Sequence, residues 1–105
     1  MSIIDTSILI DKVSEGKIVS DNITVITLIE YPMILEYKNF SGKVFYPDEK
    51  DFNLSPELQQ GLRKEGRMKG ASDLIAAICI NNNEKLLTSD RDFDDLSKIS
   101  KLKLL

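Results

Sequence analysis

Hydrophobic and polar residues follow one another in short blocks along this chain, and the blocks predict strands and helices in turn. The run Ser2–Asp5 is apolar and ends in an acid, as a short strand would. The segment Ser7–Val13 places its apolar residues at the spacings of a short helix, which we expect to end near Gly16. The first twenty residues therefore predict a strand followed by a helix.

The segment Ile23–Tyr37 combines two patterns. Its first half is β-branched and typical of a strand, whereas apolar residues from Ile26 to Tyr37 fall on one helical face. Pro32 would break a helix interior, but it does less harm if the helix begins only at about Thr27 or Leu28. We interpret the segment as mainly helical.

The rest of the chain continues the alternation. Ser55 and Pro56 are typical of a helix start, Ser72 is a candidate cap for the next helix, and the asparagines from Asn81 on are expected to end that helix. The predicted strands are Lys43–Tyr46, Lys85–Ser89 and Lys101–Leu105. The predicted helices are one from Pro56 to about Lys64, with Gly66 as its stop signal, a buried one over Leu74–Ile80 and a short one at Phe93–Ser97. Such alternation indicates an α/β fold with a parallel sheet covered on both faces.

Length and composition restrict the class of protein. The 105 residues are enough for a single domain, 1–105, and 42% hydrophobic with 30% charged residues is typical of a globular protein. No segment resembles a signal peptide or a membrane span, so we expect a cytoplasmic protein with no membrane partner. There is no histidine and only one cysteine, which excludes histidine-based catalysis, a disulfide framework and cysteine-cluster zinc sites.

The charge balance neither requires nor excludes a nucleic-acid substrate. Fourteen basic and 17 acidic residues give a formal net charge of −3, which speaks against a protein that binds nucleic acid through bulk attraction. If four acids bound cations, the other 17 − 4 = 13 would nearly balance the 14 bases. An acidic total is therefore compatible with a metal-dependent enzyme that acts on phosphates.

In an open α/β sheet ligands bind beyond the carboxyl ends of the strands, and five acids are candidates for such a site: three follow predicted strands, one opens the buried helix and one lies near the start of the second helix. They are Asp5, Glu30, Asp73, Asp90 and Asp92. Each also has a structural interpretation. Asp5 could cap the first helix, Glu30 stands three residues after Thr27 as in a capping box, Asp73 suits a helix N-terminus, and Asp90 with Asp92 could form a turn that caps a helix at Phe93.

The combination of these acids favours a metal site. Carboxylates that meet at one sheet edge repel one another unless some take up protons or a cation. Mg²⁺ or Mn²⁺ would relieve that repulsion, because both prefer oxygen ligands and keep water in place for substrate phosphates. Whether the acids do meet depends on the predicted fold.

Four segments resemble the PIN-domain family, and within it the VapC-like ribonuclease toxins. They are IIDTSILI with Asp5, ITVITLIEY with Glu30, GASDLIAAI with Asp73, and LLTSDRDFDDL with Asp90 and Asp92. The resemblance implies a three-layer α/β/α sandwich with a central, mostly parallel sheet of four to five short strands. It also implies an acidic pocket that binds Mg²⁺ or Mn²⁺ and cleaves RNA, a homodimer, and a small VapB-type antitoxin as partner.

The resemblance assigns a role to each acid. Asp5, Asp73 and either Asp90 or Asp92 would be metal ligands, and Glu30 would bind the ion, directly or through water, or act as a base. Thr6 and Thr88 match hydroxyl residues that flank the pocket in the family. In this interpretation a metal-activated water hydrolyses an RNA phosphodiester.

Basic residues near these acids are candidates for RNA phosphate contacts. The stretch with Arg67 and Lys69 leads into Asp73, and either holds the RNA backbone or is a solvated face. Arg91 lies between two candidate ligands and could contact phosphate or neutralise an empty pocket.

Three other functions stay open at this point. The first is a receiver-like phosphoacceptor module, which the lack of an acidic neighbour beside Asp5 disfavours. The second is a domain of the same family that acts through protein contacts without catalysis. The third is an RNA-processing nuclease of the same fold that has no toxin role.

Overall fold

The strands of the protein pair in parallel, and they are very short. The computed structural model describes the backbone of residues 1–64 and 70–105 and the side chains of residues 1–62 and 71–105. Its strands are β1 (Ser2–Ile4), β2 (Ile23–Thr24), β3 (Val44–Phe45) and β4 (Lys85–Leu87). β1 pairs with β4, with Ile3 opposite Leu86, and β2 pairs with β3, with Ile23 opposite Val44.

Helices fill most of the remaining chain. They are α1 (Thr6–Ser14), α2 (Val25–Glu30), a 3₁₀ helix (Pro32–Glu36), α3 (Glu49–Lys64), α4 (Gly70–Asn81) and α5 (Arg91–Ile99). The short helix predicted over Ser7–Val13 is confirmed, and it extends by one residue at each end. No helix in the described ranges combines the length and hydrophobicity that crossing a membrane requires.

The predicted three-layer sandwich with a central sheet of four to five strands is wrong. In the described residues the strands form two separate two-stranded sheets. Only isolated bridges between single residues, Ile3 with Asn22 and Leu86 with Leu104, lie beside the first pair. The reason is the length of the strands, because α1 begins two residues after β1 and α2 begins directly after β2. Too few residues stay extended to build a continuous ladder, and the predicted last strand, Lys101–Leu105, contributes one bridge.

Proline ends the second helix rather than sitting inside it. α2 begins at Val25, before the predicted start, and ends at Glu30. Pro32 is the first residue of the 3₁₀ helix, a position where its missing N–H removes no hydrogen bond. The long helix predicted to reach Tyr37 is therefore divided into two short ones.

The third helix begins seven residues earlier than predicted because two aspartates cap it. Asp48 Oδ1 accepts the backbone N–H of Lys50 at 3.0 Å, and Asp51 Oδ2 accepts the N–H of Asp48 at 2.9 Å. The other oxygen of Asp51 accepts Asn81 Nδ2 at 2.8 Å, which joins the start of α3 to the end of α4. Pro56 consequently lies inside α3 and does not start it.

Two hydrophobic clusters lie on opposite faces of β1. Ile3 belongs to the cluster built on α3, α4 and α5, and the adjacent Ile4 belongs to the cluster with Leu9 and Ile34. Successive residues of a strand point to opposite faces, so β1 is covered on both sides. α4 was predicted to be buried, and this is confirmed, because Ile75 to Cys79 are at most 5% exposed. Because β1 and α4 are buried, Asp5 at the end of β1 and Asp73 at the start of α4 have fixed positions.

Candidate acidic pocket

Asp5 lies at the carboxyl end of β1, and both of its carboxylate oxygens accept hydrogen bonds. It is the N-cap of α1, where Oδ1 accepts the backbone N–H of Thr6 at 2.9 Å. The hydroxyl of Thr88, which follows β4, donates to Oδ2 at 2.9 Å. The backbone N–H of Asp5 donates to the carbonyl of Leu87 at 2.9 Å, which fixes this end of the β1–β4 pair. Asp5 therefore caps its helix, as the structural interpretation held, and is also oriented by Thr88.

Glu30 is the exposed last residue of α2, and it is held by a hydroxyl from α1. Thr6 Oγ1 donates to Glu30 Oε1 at 2.7 Å. Since α2 begins at Val25 with Thr24 as its N-cap, the interpretation of Thr27 and Glu30 as a capping box is wrong. Thr27 instead lies one turn before Glu30, with its hydroxyl 2.9 Å from that of Thr6. Sequence reasoning missed this contact of Thr27, although the three-residue spacing already placed both side chains on one helix face.

The loop after β4 positions Asp90 and Asp92 differently. Asp90 is the exposed N-cap of α5; its Oδ1 accepts the N–H of Asp92 at 3.0 Å, and its own N–H donates to Thr88 Oγ1 at 3.0 Å. The helix begins at Arg91, so the capping interpretation is right for Asp90, but the predicted start at Phe93 is two residues too late. Asp92 is only 7% exposed. The side chain of Asp90, rather than that of Asp92, faces solvent.

One pocket brings several of the predicted residues together. It has a volume of about 260 Å³, and three carboxylates line it, from Asp5, Glu30 and Asp90. Thr6, Ser7 and Ser72 add hydroxyl groups, and Ile26, Ala71, Ile75 and Phe93 add apolar surface. Asp73, Asp92 and Thr88 are not among the described residues that line it.

Asp73 lies in the first turn of α4, beside Ser72 of the pocket, and is 2% exposed. Its Oδ1 is buried and has no hydrogen-bond partner among the described residues. Burial raises the pKa of this carboxyl from an ordinary 3.8 to about 6, because the charged form loses its hydration. The position at a helix N-terminus agrees with the structural interpretation, yet no group in the described part of the chain satisfies the buried oxygen.

The donor set fits a hard divalent cation in kind, though not as a closed cage. In residues 1–62 and 71–105 no three acidic or cysteine side chains are close enough together to hold one ion between them. Mg²⁺, however, commonly binds one or two carboxylates and completes its shell with water and substrate phosphates. Carboxylate oxygens and the unsatisfied Oδ1 of Asp73 are ligands of that type. The pocket thus offers oxygen ligands for an ion whose remaining positions are filled from solution.

The predicted phosphate-binding residues fall in two groups. Arg91, the first residue of α5, is exposed and adjacent to Asp90 at the pocket. Arg67 and Lys69 lie outside the described residues.

Comparison with known proteins gives a likeness of fold. No family model matches the chain, and no curated protein matches its sequence. The solved structures that it resembles include VapBC2 from Rickettsia felis bound to a DNA fragment from its promoter, with a TM-score of 0.74, 18% identity and coverage of 99% of this chain and 96% of that one. A toxin–antitoxin complex from Klebsiella pneumoniae matches with a TM-score of 0.67, 20% identity and coverage of 97% and 95%. VapBC-1 from nontypeable Haemophilus influenzae matches with a TM-score of 0.70, 20% identity and coverage of 99% and 96%.

These matches correct the identification made from sequence motifs. The chain shares its fold with a chain of toxin–antitoxin complexes, but identities of 18 to 20% show the fold alone. The matched structures are whole complexes whose names cover both partners, and no family model supports a narrower membership. The assignment to the VapC-like toxins of the PIN-domain family therefore does not stand.

Proposed function

We propose that the chain is a metal-dependent endoribonuclease and the enzymatic partner of a toxin–antitoxin pair. The observation that carries this proposal is the convergence of Asp5, Glu30 and Asp90 on one pocket. These residues come from three segments that are far apart in the sequence, and hydroxyl groups hold two of them in place. Carboxylates with structural roles do not need to share a pocket, whereas carboxylates that together bind a phosphate-bound cation do.

Each carboxylate has a part in the proposed chemistry. Asp5 and Asp90, which both line the pocket, would bind a divalent cation, and water and substrate phosphates would complete its coordination. When bound, Mg²⁺ or Mn²⁺ would supply a water of lowered pKa and a positive charge beside the phosphate. Glu30 is exposed and accepts one hydrogen bond from Thr6, so its second oxygen can take a proton from water or bind the ion through water.

The side chains available for catalysis restrict the type of reaction and of substrate. No histidine is present in the chain, so a cleavage that depends on histidine as acid and base is excluded. Cations held by carboxylates stabilise the charge that develops on a phosphodiester, which favours a nucleic acid as the substrate, and the substrate that we propose is RNA. Arg91, which is exposed and follows Asp90, would contact a phosphate of the same strand.

A protein partner is supported by apolar side chains that are exposed on α2, which carries Glu30, and on the 3₁₀ helix that follows it. Ile29, Met33 and Leu35, on α2 and the 3₁₀ helix, are 64 to 74% exposed. Large apolar side chains that are exposed on neighbouring elements are often used in protein contacts. Because the structural neighbours are toxin–antitoxin complexes, an inhibiting antitoxin is the partner that we propose. A homodimer, expected from the sequence, stays a prediction.

The decisive experiment is cleavage of single-stranded RNA by the purified chain. We expect cleavage with Mn²⁺ or Mg²⁺, none in EDTA, and loss of cleavage in Asp5→Asn. Binding to duplex DNA is measured alongside. Tight DNA binding without RNA cleavage would assign the chain to the other partner of the pair and overturn the proposal.

A non-catalytic interaction domain is the second candidate. It is favoured by the observation that no three acids are gathered closely within the described part of the chain. Titration of the chain with Mn²⁺, followed by paramagnetic broadening of amide signals, separates the two. Broadening centred on Asp5 and Asp90 supports the nuclease, and its absence at millimolar Mn²⁺ supports the interaction domain.

A further inference from the structure

Three side-chain oxygens are linked by two hydrogen bonds in series, and the series ends on Glu30. Thr27 Oγ1 lies 2.9 Å from Thr6 Oγ1, and Thr6 Oγ1 lies 2.7 Å from Glu30 Oε1. Thr27 is 1% exposed, whereas Glu30 at the other end faces solvent. This series of hydrogen bonds thus runs from the protein interior to the pocket.

The number of available protons fixes the direction of these bonds. An ionised glutamate has no proton to donate, so the single hydroxyl proton of Thr6 goes to Glu30. Thr6 Oγ1 can then only accept from Thr27, whose own proton therefore points to Thr6. Hydrogen bonds in series polarise one another, and the donation by Thr27 strengthens the bond from Thr6 to Glu30.

We infer that Thr27 is a positioning residue for Glu30, acting through the hydroxyl of Thr6. This inference deepens the proposed function and rests on it for its catalytic consequence. Thr6 directly follows Asp5 and is the first residue of α1, while Thr27 and Glu30 both lie on α2. The hydroxyl pair therefore also fixes the placement of the Glu30 carboxylate relative to that of Asp5.

The chain offers a matched control in Thr24. This threonine precedes α2 and is also 1% exposed, but its Oγ1 has no hydrogen-bond partner among the described residues. Thr24→Val and Thr27→Val thus make the same isosteric change at two equally buried positions. Only the second change removes a donor from the series that ends on Glu30.

The direct test is the ¹³C signal of the Glu30 carboxyl at pH 7, assigned with Glu30→Gln. We expect Thr6→Val to shift this signal, Thr27→Val to shift it in the same direction by less, and Thr27→Ser and Thr24→Val to leave it at the wild-type position. A Glu30 signal that moves in Thr6→Val but not in Thr27→Val overturns the inference. This measurement does not depend on activity, so it stands or falls separately from the proposed nuclease.

The kinetic test uses the same variants on RNA with Mn²⁺. Loss of one hydrogen bond in the series should lower kcat by about three- to tenfold in Thr27→Val with little change in KM. Thr27→Ser should restore kcat, and Thr24→Val should match the wild type. Equal kcat values for Thr27→Val and Thr24→Val would contradict the positioning role, even if the wild type cleaves RNA. Circular dichroism confirms that every variant is folded.

Discussion

Thr88 Oγ1 lies 2.9 Å from Asp5 Oδ2 and joins two residues that are 83 positions apart in the sequence. The same hydroxyl oxygen accepts the backbone N–H of Asp90 at 3.0 Å. One threonine thus connects the carboxylate of Asp5, after β1, to the backbone of Asp90, after β4. Because β1 and β4 pair in parallel, their carboxyl ends lie side by side and this contact becomes possible.

Removing the Thr88 hydroxyl should weaken both the fold and the pocket. A hydrogen bond to a charged group contributes about 1.5 to 3 kcal/mol, and the half-buried position of Thr88 reduces that figure to about 1 to 2 kcal/mol. We expect Thr88→Val to lower the free energy of unfolding in urea by this amount and to reduce RNA cleavage. Thr88→Ser keeps the hydroxyl and should retain both. Equal stability of the valine and serine variants would show that the bond contributes nothing.

Asp5→Asn should remove activity while keeping the fold. Asparagine retains one oxygen to cap α1, and its amide can donate to Thr88, whose hydroxyl then accepts. We therefore expect a change in unfolding free energy below about 1 kcal/mol. Loss of the negative charge should reduce metal-dependent cleavage by about two orders of magnitude or more. Full activity of the folded variant would exclude Asp5 from the site.

The parts of the fold that the sequence predicted are those governed by local patterns. The apolar spacing of α1 and the all-round hydrophobicity of α4 depend on neighbouring residues, and both were read correctly. The single large sheet was wrong because pattern alone cannot show how few residues stay extended before a helix begins, as at Thr24 and Val25. The start of α3 was missed because Asp48 and Asp51 cap it in a segment with no helical apolar spacing.

The site was predictable to the level of residue type. Acids that follow strands were expected to meet, and Asp5 and Asp90 do line one pocket. The sequence did not distinguish Asp90 from Asp92, because which of the two is buried depends on where α5 begins. The lack of a hydrogen-bond partner for Asp73 Oδ1 within the described residues depends on tertiary packing, which no local spacing encodes.

Asp73 should make the protein less stable as the pH rises from about 4 to about 6. Burial raises its folded-state pKa to about 6 from an ordinary 3.8, so in this range the folded protein holds a proton that the unfolded chain has released. Each step up in pH then favours the unfolded chain, and the effect is complete above about 6. In Asp73→Asn this component is absent. Urea unfolding of both proteins at several pH values measures the difference, and parallel curves would show that Asp73 does not titrate there.

Cys79 should be unreactive in the folded protein. It is fully buried in α4, and burial, with a smaller effect of the negative charges of Glu84, Asp5 and Asp51, raises its pKa to about 12. Since the thiolate is the reactive form, a thiol reagent at pH 8 should react with the native chain at least about a hundredfold more slowly than with the chain in urea. The chain contains a single cysteine, so the whole signal comes from this position.

A matched control places a cysteine at the rim of the pocket. Ser72 is half-buried and lines the pocket, so Ser72→Cys in a Cys79→Ala background should react rapidly under native conditions. Because α4 carries both positions, the ratio of the reaction rate of Cys79 to that of Ser72→Cys measures how often α4 opens locally and exposes Cys79. Similar rates at the two positions would mean that α4 opens freely, and Asp73 on the same helix would then not be held in a fixed position.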